Sequence, residues 1–335
     1  METKFFNEND IRPLEFEKDK LKAIDIDREY LLNRKDEFVN YFCPACESTN
    51  GVFYFAKTGI DYCQCPQCKT VFVNPRPSQK VLHDFYSQSK VYDYWNKFIF
   101  PASEETRREK IFRPRAEKVI GFCKKYKVDT NIFLEVGAGF GTFCQEVKHA
   151  NVFTRVIALE PSPGLAESCR KRNLEVMETP IEALQLPENT VDVISSFEVL
   201  EHLFSPKAFL LDCKKYLKKG GLIVLTCPNF MGFDIMNLRE LSDSVDHEHL
   251  NYFNPASLSL LLEKAGFKVL EVETPGKLDV DIVRNKVLTG VLDISVNPFL
   301  KHILIDKWEE LGEKFQNFLS ENKLSSHLWV VAQKC

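Results

Sequence analysis

The segment Ile132-Phe-Leu-Glu-Val-Gly-Ala-Gly-Phe-Gly-Thr-Phe143 constrains the fold more than any other. An apolar run ends in glycines at 137, 139 and 141, and an amphipathic stretch follows at once. Three glycines spaced by two let the backbone turn tightly without Cβ interference, joining a buried strand to a helix. The same rhythm then repeats. Apolar runs RVIALE, VDVISS and GLIVLT alternate with helix candidates around FCQEVKHA, GLAESCRKR and PKAFLLDCKKYLKK, and SLSLLLEKAG, FKVLEVE and HLWVVAQ follow. Strands apolar on both faces, alternating with helices, predict an α/β fold with a doubly wound, Rossmann-like parallel sheet.

The glycine spacing narrows the ligand. A dinucleotide fingerprint wants glycine at the last position of G-x-G-x-x-G, and Thr142 stands there. Instead an acid, Glu135, lies two residues before Gly137, and a second, Glu160, ends the next apolar run nineteen residues past Gly141. A carboxylate at that strand end can accept both hydroxyls of a ribose, whereas Glu135 would repel a pyrophosphate. The pair suits a ligand with a ribose diol and a cationic head.

EVGAGFG, IALEPS, VDVISSFEVLEHL, LKKGGLIVLTCPN and LLEKAGFKVLEVE together resemble the class I S-adenosylmethionine-dependent methyltransferases over residues 131 to about 272. That resemblance implies an adenosylmethionine cofactor. Glu135, Gly137, Ala138, Gly139 and Gly141 would hold its methionine end, Glu160 with Pro161 its ribose, Ile181 and Glu182 its adenine, and Phe197 and Glu198 the floor.

Eleven cysteines divide unevenly: five lie between positions 43 and 68, and six are scattered through core-like or helical segments. Such a pattern is no disulfide framework. Cys43-Pro-Ala-Cys46 and Cys65-Pro-Gln-Cys68 are two C-x-x-C turns separated by eighteen residues, the spacing of a structural zinc ribbon with four thiolate ligands. An iron–sulfur centre or free thiols are the alternatives, and Cys63 is expected to point away or to substitute for a ligand. The run from Cys43 to Tyr86 resembles the zinc-binding segment fused ahead of many bacterial methyltransferases of sugar and surface-polysaccharide biosynthesis. The implied organisation is a charged extension (1–37), a zinc-ribbon module (38–77), a helical segment (78–127) and a methyltransferase domain (128–335). Pro101 and Pro114 are expected to divide the helical segment into several helices.

Groups able to move a proton crowd into Asp246-His-Glu-His-Leu-Asn-Tyr-Phe253, after the fifth strand, where ligands of open α/β sheets bind. The motif resembles the Glu-His-x-x-Tyr element of zinc-containing sugar C-methyltransferases, which implies roles for Glu248, His249 and Tyr252 at a keto-sugar carbon. Those enzymes carry a large extra C-terminal domain; only about 60 residues follow Pro275 here. The expectation therefore shifts to O-methylation of a nucleotide- or lipid-linked sugar, with His249 as base, Glu248 or Asp246 orienting it, and His247 and His202 as further candidates.

Composition bears on the rivals. A formal net charge of −4 disfavours a nucleic-acid binder such as an RNA methyltransferase. A catalytically silent cofactor-fold protein would not need the intact Glu135, glycine and Glu160 set. From Ser103 to Lys127, nine Lys/Arg face four Asp/Glu, which reads as a solvated helix face or as a basic rim for a phosphate-bearing substrate. No run of 18 apolar residues and no signal-like N-terminus appear, so the expectation is a cytoplasmic protein without a membrane span.

Overall fold

The computed structural model describes residues 10–335; the first nine residues of the charged extension lie outside the described part. Helix α1 (Glu17–Leu32) is drawn into the fold by a buried acid. Asp27 accepts hydrogen bonds from the Ser89 hydroxyl at 2.6 Å and from the amides of Lys90 and Val91 at 2.8 and 2.9 Å. Its side chain thus serves the exposed N–H groups of a helix start some sixty residues away. Leu31 packs with Val81 and Phe85 beneath it.

The cysteine-rich module follows as β1 (Phe38–Val39), β2 (Val52–Lys57), β3 (Ile60–Gln64), β4 (Val71–Val73) and β5 (Arg76–Pro77). β2, β3 and β4 form an antiparallel meander, and β5 closes the module by pairing with β1.

Helix α2 (Gln79–Gln88) is capped by Ser78, and α3 (Lys90–Tyr94), α4 (Phe100–Arg107) and α5 (Arg113–Tyr126) come next. The prolines do not separate these last three. The helical path runs from Lys90 to Tyr126 through two π turns, Trp95–Ile99 and Arg108–Phe112, each ending just before the proline-bearing start of the next helix. Phe100 donates to the Trp95 carbonyl and Arg113 to that of Arg108, five residues back in each case. The wider turn accommodates a residue that lacks an N–H and whose ring would crowd a normal turn. Expected breaks are therefore local adjustments within one helical path.

The core contains β6 (Ile132–Val136), α6 (Thr142–His149), β7 (Arg155–Leu159), α7 (Pro163–Lys171), β8 (Glu175–Met177), β9 (Val191–Phe197), α8 (Pro206–Tyr216) and β10 (Leu217–Pro228). Then come α9 (Phe233–Leu238), β11 (Asn251–Tyr252), α10 (Pro255–Lys264) and β12 (Phe267–Glu273). The helices α11 (Asp279–Leu288), α12 (Pro298–Lys301) and α13 (Trp308–Glu321) precede the last strand, β13 (His327–Lys334). Seven strands form one sheet in the order β12-β13-β10-β9-β6-β7-β8. Alternate residues feed two cores: Leu134, Ile194 and Ile223 point to one face, and Phe133, Val193 and Leu222 to the other. That is the double winding read from the sequence. The sheet is mixed, however, because β13 pairs antiparallel with both β10 and β12. An apolar run carries no mark of its direction, and the helices inserted before β13 return the chain to the end of the sheet at which β12 finishes, so β13 runs back beside it.

A second departure concerns the module boundaries. β11, from the stretch after the fifth core strand, pairs antiparallel with β4, placing Asn251 opposite Phe72 and Tyr252 opposite Val71. Cys43, Cys65 and Phe72 belong to the same apolar cluster as Leu134, Phe253 and Leu258. The ribbon and the core are packed as one body.

Candidate functional site

Strand order reverses beside β6, which lies between β7 and β9, and the glycine turn sits at that switch point. The amides of Gly137 and Ala138 both donate to the Leu159 carbonyl, at 2.9 and 3.1 Å, which ties the turn to the end of β7. All three glycines have positive φ, from 55° to 82°. A Cβ on Gly137 would strike Val199, and one on Gly141 would strike Cys169. Gly139 differs: a Cβ there meets nothing within 4 Å, so open space lies above it.

Both acids border this turn. Glu160 accepts from the Gly139 amide at 2.8 Å and from the Ser162 amide at 2.9 Å, and burial pushes its pKa up to about 7. Glu135 is buried; Cys144 holds part of its carboxylate, while Oε2 has no hydrogen-bond partner among the described residues. Burial pushes its pKa up to about 8, against the pull of Cys144 and Arg115. A buried carboxylate oxygen without a donor is costly unless a ligand supplies one. Ile181 is buried in a short turn after β8, with Glu182 exposed beside it. Phe197 ends β9 and Glu198 follows it on the exposed side. The structure thus gathers at the carboxyl edge of the sheet the positions that the resemblance assigns to a cofactor.

Arg115 was not singled out by sequence reasoning, because it lies in a basic run. Its guanidinium stacks 4.5 Å from the Phe197 ring centre and feels the charges of Glu135 and Glu198, yet it makes no hydrogen bond or ion pair among the described residues. Its neighbours are otherwise committed. Arg108 and Arg113 grip Glu146, Arg108 shares Glu104 with Arg172, and Lys118 and Lys125 meet Glu273 and Glu271. Four of the nine basic residues of this stretch, Arg108, Arg113, Lys118 and Lys125, are thus paired with acids.

The Asp246–Phe253 segment splits its side chains between two sides. Asp246 Oδ1 accepts the amides of Glu248 and His249, both at 2.9 Å, and Oδ2 lies 3.5 Å from His249 Nδ1. His249 Nδ1 donates to the Ser244 carbonyl at 2.9 Å, and the ring stands 4.6 Å from that of His202. Glu248 and His247 turn the other way, towards Asp27 and Tyr92. His247 is buried, its Nε2 is 3.8 Å from Glu248 Oε1, and burial lowers its pKa. The expected pairing of Glu248 with His249 on one face is therefore corrected: the chain bends over the Asp246 carboxylate through residues 245–248, which separates the two side chains, and Asp246 is the residue that orients His249. Tyr252 is wholly buried, its hydroxyl accepts the Asp246 amide at 3.1 Å, and its ring packs edge-on against Tyr62 and Phe230. It supports the loop from within the core.

In the ribbon, the Sγ atoms of Cys43, Cys46, Cys65 and Cys68 all lie within 4.8 Å of one another. The two turns share one design. Glu47 donates its amide to Cys43 and Lys69 to Cys65, each with positive φ. Sulfurs at the corners of a zinc tetrahedron stand about 3.8 Å apart for bonds of about 2.3 Å; Cys43–Cys68 and Cys46–Cys65 are both 3.4 Å apart. The donor set fits a fully protein-ligated metal. Cys63 is outside it, its sulfur directed at the Asn74 carbonyl.

The family model described as a methyltransferase domain matches residues 104–272, and the chain belongs to that family. A probable S-adenosylmethionine-dependent methyltransferase of Mycolicibacterium smegmatis is 32% identical over 138 residues, 41% of this chain and 51% of that protein. A ubiquinone biosynthesis O-methyltransferase of Parvibaculum lavamentivorans is 31% identical over 110 residues, 29% of this chain and 40% of that protein. The chain thus spans about half the length of the curated relatives it matches. A solved S-adenosylmethionine-dependent methyltransferase from Archaeoglobus fulgidus superposes with a TM-score of 0.48 at 21% identity, over 71% of this chain and all of that one. No helix among the described residues is long and apolar enough to cross a membrane.

Proposed function

We propose that the protein transfers the methyl group of S-adenosylmethionine to a hydroxyl of a nucleotide- or lipid-linked sugar in surface-glycan assembly. The observation carrying the cofactor assignment is Glu135 Oε2, a buried acceptor with no donor, beside the open space over Gly139. The α-ammonium of the methionine end supplies the missing donor, Arg115 is available to its carboxylate, and Glu160 takes the ribose hydroxyls. Ile181 and Glu182 flank the adenine, with Phe197 and Glu198 beneath the sulfonium.

The cofactor brings an electrophilic methyl group, so the chain must place an acceptor oxygen in line, exclude water and help its proton leave. His249, held by Asp246 and Ser244, is the group we place at that oxygen. Zinc on the four thiolates is structural: every corner is filled by protein, and it anchors the sheet on which β11 is built.

Oxygen rather than carbon as the methylated atom is supported by relatives named for O-methylation. The sugar acceptor rests on the resemblance of the fused ribbon and of HEHLNYF. Incubation with labelled cofactor and panels of nucleoside-diphosphate sugars, ubiquinone precursors and RNA decides it. Transfer to a sugar hydroxyl is expected; transfer only to a phenol or to RNA would replace the sugar reading.

A further inference from the structure

Glu201, His202 and His249 converge with no hydrogen bond between any two of them among the described residues. Glu201 is fully buried, and neither of its carboxylate oxygens has a hydrogen-bond partner among the described residues. His202 follows it in the chain, and its Nδ1 lies 3.2 Å from the Glu248 carbonyl. His249 Nδ1 lies 2.9 Å from the Ser244 carbonyl. A carbonyl can only accept, so each Nδ1 bears the proton and each Nε2 keeps its lone pair. One atom each from Glu201, His202 and His249 can be chosen so that all three lie within 4.8 Å of one another.

We propose that Glu201, His202 and His249 hold a divalent first-row cation at the acceptor side of the cofactor site. Two imidazoles and one carboxylate, with positions left open, suit such an ion. A backbone carbonyl on the second nitrogen of each imidazole is the usual outer support of a metal-ligating histidine. The scaffold is fixed from both sides. The Leu250 amide donates to the Glu201 carbonyl at 2.8 Å, and the Asn251 side chain donates to the carbonyls of Leu200, Glu201 and Leu203.

The neighbouring trio of Asp27, His247 and Glu248 is also compact. It differs in that Asp27 already receives three donors and Glu248 receives Tyr92. Those acids are spent on structure, whereas Glu201 is not.

This inference rests on the methyltransferase reading and deepens it. A cation there binds the acceptor hydroxyl and eases loss of its proton to water. The oxygen then bonds to the methyl carbon as the carbon–sulfur bond breaks, and the electron pair goes to sulfur. His249 acts as a ligand in this scheme.

The test uses the full chain with its zinc retained, and Mn2+ as the probe, followed by paramagnetic resonance and calorimetry. One Mn2+ per chain is expected, with affinity falling at least about tenfold in Glu201→Gln and in His249→Ala and little changed in His247→Ala. Adenosylhomocysteine binding by each variant reports that it is folded. His249→Ala, at a partly exposed position, keeps the test decisive if Glu201→Gln does not fold. The proposal is overturned by wild-type protein that binds adenosylhomocysteine but no Mn2+ at millimolar concentration. Mn2+ binding lost only in His247→Ala overturns it as well. Failure to bind adenosylhomocysteine would instead strike the methyltransferase reading.

Discussion

Arg76, in the cysteine-bearing module, donates to the side-chain oxygen of Asn251 at 3.1 Å across 175 residues of sequence. The same guanidinium serves the carbonyls of Val73, Phe204 and Leu250 and lies over the Tyr41 ring, with no exposed surface. One buried fork thus joins the ribbon, the turn after β9 and the strand that follows the histidine loop. Arg76→Lys should cost about 1–3 kcal/mol, since a point-charge ammonium cannot replace the planar fork and leaves buried carbonyls unpaired. Urea unfolding would measure it, and a loss below about 1 kcal/mol would show that the fork is dispensable.

Glu160 receives the Gly139 amide as well as facing the proposed ribose. Glu160→Ala should weaken adenosylhomocysteine binding by about 1.5–3 kcal/mol through lost bonds to a charged acceptor. Calorimetry that found unchanged affinity would place the ribose elsewhere.

Burial raises the carboxyls of Glu135 and Glu160 to about 8 and about 7, so in the ligand-free protein they are protonated below those values. A cationic ligand end requires Glu135 ionised. Affinity should therefore climb from pH 6 to pH 8, by up to about tenfold per unit for each proton released, and level off above. Stability of the ligand-free fold moves oppositely: both acids hold protons longer folded than unfolded, so it declines as pH rises from about 4.5 through 7 and 8. Thermal shifts with adenosylhomocysteine should widen over that window. A width independent of pH would show that neither acid changes ionisation on binding.

The ribbon should contain one zinc per chain by elemental analysis. Since β11 is hydrogen-bonded to β4 and the Tyr62 hydroxyl donates to the Asp246 carbonyl at 2.7 Å, chelation should unseat the histidine loop. Methyl transfer should then be lost while the glycine turn still binds adenosylhomocysteine, because the turn is stitched to β7 and not to the ribbon. Full transfer by chelated protein would contradict this.

What was legible in the sequence was local. The glycine turn, its flanking acids and the paired C-x-x-C turns are each set by a few adjacent residues, and the alternation of strand and helix is written in apolar periodicity. What was not legible depends on distant partners. HEHLNYF gives no sign that Tyr252 is claimed by Tyr62, or that Asp27 and Tyr92 draw Glu248 away from His249. Arg115 looked like its basic neighbours, since only the fold reveals which arginines find acids. Glu201 passed unnoticed because its burial, not its identity, makes it unusual.

The His249 side chain is positioned by three contacts and exposed enough to be changed without emptying a core: Nδ1 meets Ser244, the amide meets Asp246 Oδ1, and Asp246 Oδ2 lies near the ring. His249→Ala should lower turnover by about 10²–10⁴, whether the ring takes the acceptor proton itself or holds the cation that eases its loss. Adenosylhomocysteine affinity should stay nearly constant, because Glu135, the glycine turn and Glu160 lie on other elements and uniform binding is untouched. Asp246→Ala should reduce turnover in the same direction, since it frees two loop amides as well as the ring, and Asp246→Asn should restore part of it by returning an acceptor oxygen to those amides. Equal loss of cofactor affinity and turnover in His249→Ala would mean that the loop serves the cofactor. Near-full turnover with the natural acceptor would remove His249 from the reaction altogether.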